Sequence, residues 1–172
     1  NIVVSQYCFA IYPIVAHLAG ADCITVPAKN YGHDLLAMCE AITDQTRIVF
    51  VANPNNPTGT LAPEETVLNL IDNSPEHTLL VMDEAYFEFL DDPVDLLSLL
   101  GNHPNLLLMR TFSKIYGLAG LRIGYGIGNA EFVSALEKVR QPFNLNAMAQ
   151  TAALAALSDN DHLEATRVNN AA

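Results

Sequence analysis

The sequence predicts an α/β fold: a mostly parallel sheet with helices on both faces, stacked as a three-layer sandwich. Three observations carry this. Short apolar runs alternate with segments of helical periodicity along the whole chain, the pattern that builds parallel sheets through right-handed crossovers. Some runs are continuously apolar, such as Ile48 to Ala52 within the strand expected over Arg47 to Ala52, as in strands buried on both faces. Of the 172 residues, 51% are apolar and 16% charged, enough for one sizeable core.

In chain order, Ile2 to Ser5 reads as a strand. Phe9 to Gly20 has apolar residues at helical spacing and ends at a glycine suited to a C-cap. Cys23 to Val26 is a short strand closed by Pro27, and Asp34 to Ile42 an amphipathic helix with Asp34 near its start. After the strand Arg47 to Ala52 comes a dense turn, Asn53-Pro54-Asn55-Asn56-Pro57-Thr58-Gly59. Pro63 to Asn73 is the next helix, with Pro63 expected at its first position and Glu64 and Glu65 complementing the positive helix end. Thr78 to Met82 is a strand running into Asp83-Glu84-Ala85-Tyr86. Leu106 to Met109 and Ile123 to Ile127 are the last strands. Helices follow over Glu131 to Val139 and Ala147 to Leu157, and another begins at Asp161 and runs to Asn170.

The net charge of -11 offers no basic footprint for nucleic acid. Mean hydropathy is high at +0.21, yet no apolar run reaches the ~18 residues of a membrane helix. No membrane or nucleic-acid partner is therefore expected, and the apolar excess reads as buried strands plus a subunit interface. Cys8, Cys23 and Cys39 lack C-x-x-C spacing and read as reduced core residues of a cytoplasmic protein. His17, His33, His77, His103 and His162 fall in no metal-ligand spacing and read as surface or cap residues. Phe87, Phe89 and Leu90 read as core. Glycines at 117, 120, 124, 126 and 128 do not complete G-x-G-x-x-G. Both ends read as those of a fragment: the chain starts without methionine and stops inside a helical segment.

Three unusual turns, at residues 53–59, 83–86 and 110–117, all follow apolar strands. In open α/β sheets such turns meet at the carboxyl edge, where ligands bind. Together they offer an amine (Lys114), a carboxylate (Asp83), phenolate donors (Asn56, Tyr86) and a phosphate-binding set (Thr111, Ser113, Arg122). Pyridoxal phosphate needs this combination. A lysine forms the Schiff base and shuttles protons, a carboxylate keeps the pyridine nitrogen protonated, and hydroxyls with an arginine hold the phosphate. Desolvation and the nearby Arg122 are expected to lower the Lys114 pKa. Taken singly, each residue has a plainer reading: Asp83 a cap, Arg122 the partner of a carboxylate such as Glu84, Thr111 and Ser113 satisfying backbone groups. Their order and spacing together favour the cofactor.

The motifs N-P-N-N-P-T-G at 53–59, D-E-A-Y at 83–86 and R-T-F-S-K-x-x-G-L-A-G-L-R-x-G at 110–124 together resemble those of fold type I, pyridoxal-phosphate-dependent aminotransferases. The lysine motif, with Ser113 before Lys114 and Arg122 eight residues after, is similar to that of the histidinol-phosphate aminotransferase subfamily. The resemblance implies Lys114 as the Schiff-base lysine, Asp83 on the pyridine nitrogen, Asn56 and Tyr86 on the phenolate oxygen, and Thr111, Ser113 and Arg122 on the phosphate. It also implies Phe9 stacked on the cofactor ring, against a second reading of Phe9 as a core residue at a helix start. Tyr7 and Tyr12 are left open as substrate-side residues.

The resemblance further implies a cofactor-binding large domain over residues 1–158, incomplete at its N-terminus. Residues 159–172 would begin a helix leading to a small domain outside the chain. Expected partners are small amino-acid and keto-acid substrates and a second copy in a homodimer. The implied reaction is transamination between histidinol phosphate and 2-oxoglutarate in histidine biosynthesis. Two alternatives stand beside it. One is a related pyridoxal-phosphate enzyme, a threonine-phosphate decarboxylase or an aromatic or broad-range aminotransferase. The other is a non-catalytic fragment that only folds and self-associates.

Overall fold

The computed structural model describes residues 1–171. Strands β1 (Ile2–Ser5), β2 (Cys23–Val26), β3 (Ile48–Ala52), β4 (Leu79–Asp83), β5 (Leu106–Thr111) and β6 (Gly124–Gly128) form one sheet in the order β2-β1-β3-β4-β5-β6. The helices are α1 (Ile11–Leu18), α2 (Leu35–Glu40), α3 (Glu64–Asn73), α4 (Ala130–Val139), α5 (Ala147–Ala156) and α6 (Asn160–Ala171). Strands β1 to β5 are parallel, as expected; β6 is antiparallel to β5. The reason is local. Residues 112–123 stay at the carboxyl edge, Thr111 pairs with Gly124, and the chain turns back instead of crossing over.

The period-two alternation of each strand divides the core between two faces. Val3, Val49, Val51, Leu80, Met82, Leu106 and Leu108 pack on one face with Met38 of α2 and Val67, Leu70 and Ile71 of α3. Ile2, Val4 and Ala52 face the other way, against Tyr12 and Ala16 of α1. A third cluster lies beneath the turn that follows β5: Phe112, Ile115 and Tyr116 pack on Ala149 and Ala153 of α5.

Local signals explain the helix limits, with some shifts. Gly20 sits just past α1 at φ +67°, the left-handed geometry its lack of a Cβ permits. Asp34 caps α2 by accepting the Ala37 N–H at 3.1 Å. Pro63 is the N-cap of α3, not its first helical residue, because the Thr66 and Val67 N–H groups close the first turn on its carbonyl. Phe87, Phe89 and Leu90, expected in the core, are only half-buried around a short 3-10 turn. His33 is not a surface residue: it is half-buried, and its Nε2 donates to the Ala52 carbonyl at 2.8 Å. Cys8, Cys23 and Cys39 are free and half-buried. Among the described residues no helix is long and apolar enough to cross a membrane.

Gly124 is required by close approach. A Cβ there would stand 2.8 Å from the Arg110 carbonyl oxygen, a backbone atom that cannot move without breaking the β5–β6 ladder. Gly124→Ala is expected to lower stability by ~1–3 kcal/mol, the usual cost of overpacking. Chemical denaturation of the full-length protein measures it; an unchanged midpoint would show that β6 absorbs the methyl group.

Candidate active site

Because β3, β4 and β5 are adjacent, the turns that follow them meet at one edge of the sheet. Asp83 is the last residue of β4, paired with Ala52 and Met109, so its side chain falls on the α1 face. The Tyr12 hydroxyl donates to its Oδ2 at 2.7 Å and the Ala85 N–H to its Oδ1 at 3.1 Å. Burial pushes the Asp83 carboxyl above the usual carboxylate range, opposed by the Tyr12 and Ala85 hydrogen bonds and by the charge of Lys114.

Lys114 stands between two cavities and is the one residue, among those described, that lines both. The first, about 710 Å³, is also lined by Phe9, Asp83, Thr111, Ser113 and Arg122. The second, about 460 Å³, is lined by Asn56, Tyr86 and Phe89, with Asn170 of α6 at its side. The Lys114 ammonium lies 5.1 Å from the Tyr86 ring centroid. Each residue that the sequence assigns to the cofactor therefore borders one of these two cavities. The burial expected for Lys114 is not found. Its side chain is exposed, because Phe112, Ile115 and Tyr116 take the buried positions of the turn and leave the lysine pointing outward.

The open choices resolve in part. Arg122 is not the partner of Glu84; Arg110 is, through Nε to Oε2 at 2.8 Å. Arg122 adopts φ 55°, a conformation uncommon outside glycine and costly for a bulky residue. Its Nη1 donates to the Ala119 carbonyl at 2.7 Å. Neither Arg122 nor Lys114 is ion-paired among the described residues. Thr111 does serve the backbone, accepting the Ser113 N–H at 3.1 Å, while both residues also border the larger cavity. Within the Asn-Pro turn Asn55 is buried and donates to the Tyr7 carbonyl and to Thr58 Oγ1, each at 2.8 Å; Asn55 and Asn56 both line the smaller cavity.

Two features escaped the sequence reading. Tyr12 is not at the mouth of the cavity but behind Asp83, 2% exposed. A buried tyrosine needs a partner for its hydroxyl, and this was the available signal. Glu84 and Arg110 pair beneath the site, with side chains 4% and 11% exposed. An arginine inside an apolar strand, beside a strand ending in Asp-Glu, was the corresponding hint. Chemically, the arrangement gathers an exposed amine, a half-buried carboxylate, two hydroxyls and an arginine around one cavity.

Comparison with known proteins is consistent along the whole chain. A histidinol-phosphate aminotransferase of Nitrosococcus oceani is 49% identical over 174 residues, covering 100% of this chain and 47% of that protein. The chain thus spans about half the length of the curated relatives it matches. Among solved structures, the histidinol-phosphate aminotransferase of Sinorhizobium meliloti in complex with pyridoxal-5'-phosphate superposes with TM-score 0.92 at 36% identity, covering 97% of this chain and 46% of that one. The L-threonine-O-3-phosphate decarboxylase of Porphyromonas gingivalis superposes at 0.83 with 26% identity, covering 95% of this chain and 48% of that one. The family model for aminotransferase class I and II matches residues 1–170. On the sheet order, the three strand-end turns and these matches, the chain belongs to the class I and II aminotransferase family.

Proposed function

We propose that the chain is the cofactor-holding part of a pyridoxal-phosphate-dependent aminotransferase that exchanges the amino group of histidinol phosphate with 2-oxoglutarate. The observation that carries the reading is the meeting of Lys114, Asp83, Asn56 and Tyr86 at one sheet edge around two cavities that share the lysine. The residues fit the cofactor. Among the described residues Asp83 has only neutral donors in hydrogen-bond contact, and burial raises its pKa, so a cationic ring nitrogen beside it would stabilise the ionised form. Across the same cavity Thr111, Ser113 and Arg122 supply hydroxyls and a guanidinium with no ion pair among the described residues, for a phosphate dianion.

In this reading Asp83 holds the proton on the ring nitrogen. Asn56 and Tyr86 donate to the ring oxygen, and Phe9 covers one ring face. Thr111, Ser113 and Arg122 anchor the phosphate. Lys114 holds the cofactor covalently and moves a proton at the substrate's α-carbon. Pyridoxal phosphate, when bound, supplies the electron sink for the bond broken at that carbon. Residues 1–158 form the large cofactor domain, and residues 159–172, of which Ala172 lies outside the described residues, lead toward a second, smaller domain. A homodimer accords with the exposed Leu18, Val139, Phe143 and Met148, apolar surface suited to a cover.

Among the solved structures, the identity of 36% to a histidinol-phosphate aminotransferase, against 26% to the threonine-phosphate decarboxylase, favours the first substrate. The test is direct. The full-length protein is incubated with histidinol phosphate and 2-oxoglutarate, and separately with threonine phosphate. Glutamate formed from the first pair is the expected result; carbon dioxide from threonine phosphate, with no keto acid, would overturn the assignment.

A further inference from the structure

Tyr12 is fixed more firmly than a core tyrosine requires. Its ring stacks on Phe50 with centroids 4.6 Å apart and planes 6° from parallel. The Phe9 ring meets it edge-on at 5.8 Å and 85°. With the ring held on two sides, the hydroxyl has one direction, and that direction ends on Asp83 Oδ2 at 2.7 Å. At that distance the bond has the full strength of a well-formed phenol-to-carboxylate hydrogen bond.

We propose that Tyr12 is a positioning residue for the aminotransferase chemistry: its hydroxyl fixes the Asp83 carboxylate, ionised and in one orientation, where the cofactor's ring nitrogen meets it. The proposal rests on the functional reading above. It makes protonation of the ring a property of the Tyr12–Asp83 pair and not of Asp83 alone.

The electrostatics agree. Burial, then the negative charge of Asp83, push the Tyr12 phenol far above its ordinary pKa, so it remains a donor at every working pH. The donated bond opposes the burial that would otherwise protonate Asp83. The other charged or titratable groups facing the pair are few. Lys114 across the cavity favours the carboxylate. Glu84, its neighbour in sequence, is in mutual repulsion with it. Cys8 and Tyr86 act weakly on the Tyr12 phenol. The Ala85 N–H holds the second oxygen, so both oxygens are tethered while each keeps a lone pair for a ring N–H. Through Phe9, Tyr12 also supports the side chain proposed to cover the ring face.

The test is Tyr12→Phe in the full-length protein, which keeps the ring and its stacking and removes one oxygen. The expected result has three parts. Borohydride still fixes cofactor on Lys114. Turnover falls about tenfold with KM within about twofold, and the acid limb of the kcat–pH profile moves up by about one unit. Without cofactor, the variant is less stable than wild type at pH 8 and nearly equal to it at pH 5. The sign follows from linkage: an acid whose folded pKa rises loses stability as pH climbs through that pKa. Phe50→Leu is the control, loosening the stack but keeping the hydroxyl. If Tyr12→Phe behaves like Phe50→Leu, with the pH limb unmoved and a stability loss equal at both pH values, Tyr12 is a packing residue and the inference fails. If wild type gives no adduct on Lys114, the functional reading fails instead.

Discussion

Replacing Lys114 by alanine is expected to abolish covalent retention of pyridoxal phosphate and to lower turnover by at least about ten-thousandfold, with the fold intact. The two halves of this expectation have separate grounds. The fold survives because the turn does not depend on the lysine side chain. The Gly117 N–H donates to the Lys114 carbonyl at 2.9 Å and the Leu118 N–H to the Phe112 carbonyl at 2.9 Å, both through backbone. Phe112, Ile115 and Tyr116 anchor the turn on α5. The lysine itself is exposed, and removing an exposed side chain with no ion pair usually changes stability by less than about 0.5 kcal/mol. The chemistry fails because, among the described residues, no other amine borders the two cavities. Lys114→Arg sharpens the test: it keeps the positive charge but offers no nucleophile, so it too should be inactive. Borohydride reduction followed by peptide mapping reads the result. An adduct on any peptide other than the one holding residues 110–122, or appreciable turnover in the alanine variant, would refute the role.

The convergence of the three turns was legible because it depends on topology, and topology follows from alternating strands and helices. A motif at the carboxyl end of a parallel strand has one edge to go to, so Asn56, Asp83 and Lys114 could be brought together from sequence order alone. What was not legible depends on side-chain register between distant segments. Tyr12 and Asp83 are 71 residues apart, and their bond exists because Asp83 projects to the α1 face of β4 while α1 turns Tyr12 inward. No periodicity encodes that match. Strand direction was also hidden in the case of β6, since Gly124 to Gly128 reads as a strand whichever way it runs. The exposure of Lys114 went unforeseen because the aromatic and aliphatic residues beside it compete for the buried positions of the turn, and bulkier apolar groups gain more from them.

Arg110→Ala is expected to cost roughly 3–5 kcal/mol, the penalty for leaving one member of a buried ion pair without the other. The pair sits one residue beyond the last β4–β5 register pair, Asp83 with Met109, where the Glu84 N–H still donates to the Met109 carbonyl at 2.8 Å. Arg110 Nε meets Glu84 Oε2 at 2.8 Å, and its guanidinium covers the Phe87 ring at 3.7 Å. Glu88 adds a second acid near the same cation, with one oxygen buried and without a hydrogen-bond partner among the described residues. Burial already pushes both Glu84 and Glu88 upward, and Arg110 pulls both back. Without the arginine their folded pKa values rise further, so the lost stability is largest at neutral and alkaline pH and shrinks as pH falls through these folded pKa values, which already lie above the ordinary carboxylate range. Denaturation of the full-length variant at pH 5 and pH 8 measures this slope; a deficit under about 1 kcal/mol that is equal at both pH values would rule out a buried pair. The double variant Glu84→Gln, Arg110→Met removes both charges together and should recover most of the stability, since well-packed neutral replacements of buried pairs are often neutral or better. Because Glu84 adjoins Asp83 and Arg110 adjoins Thr111, the same double variant separates folding from alignment. If it regains stability but still binds cofactor more weakly than wild type, the ion pair is what holds the carboxylate turn in register with the lysine turn.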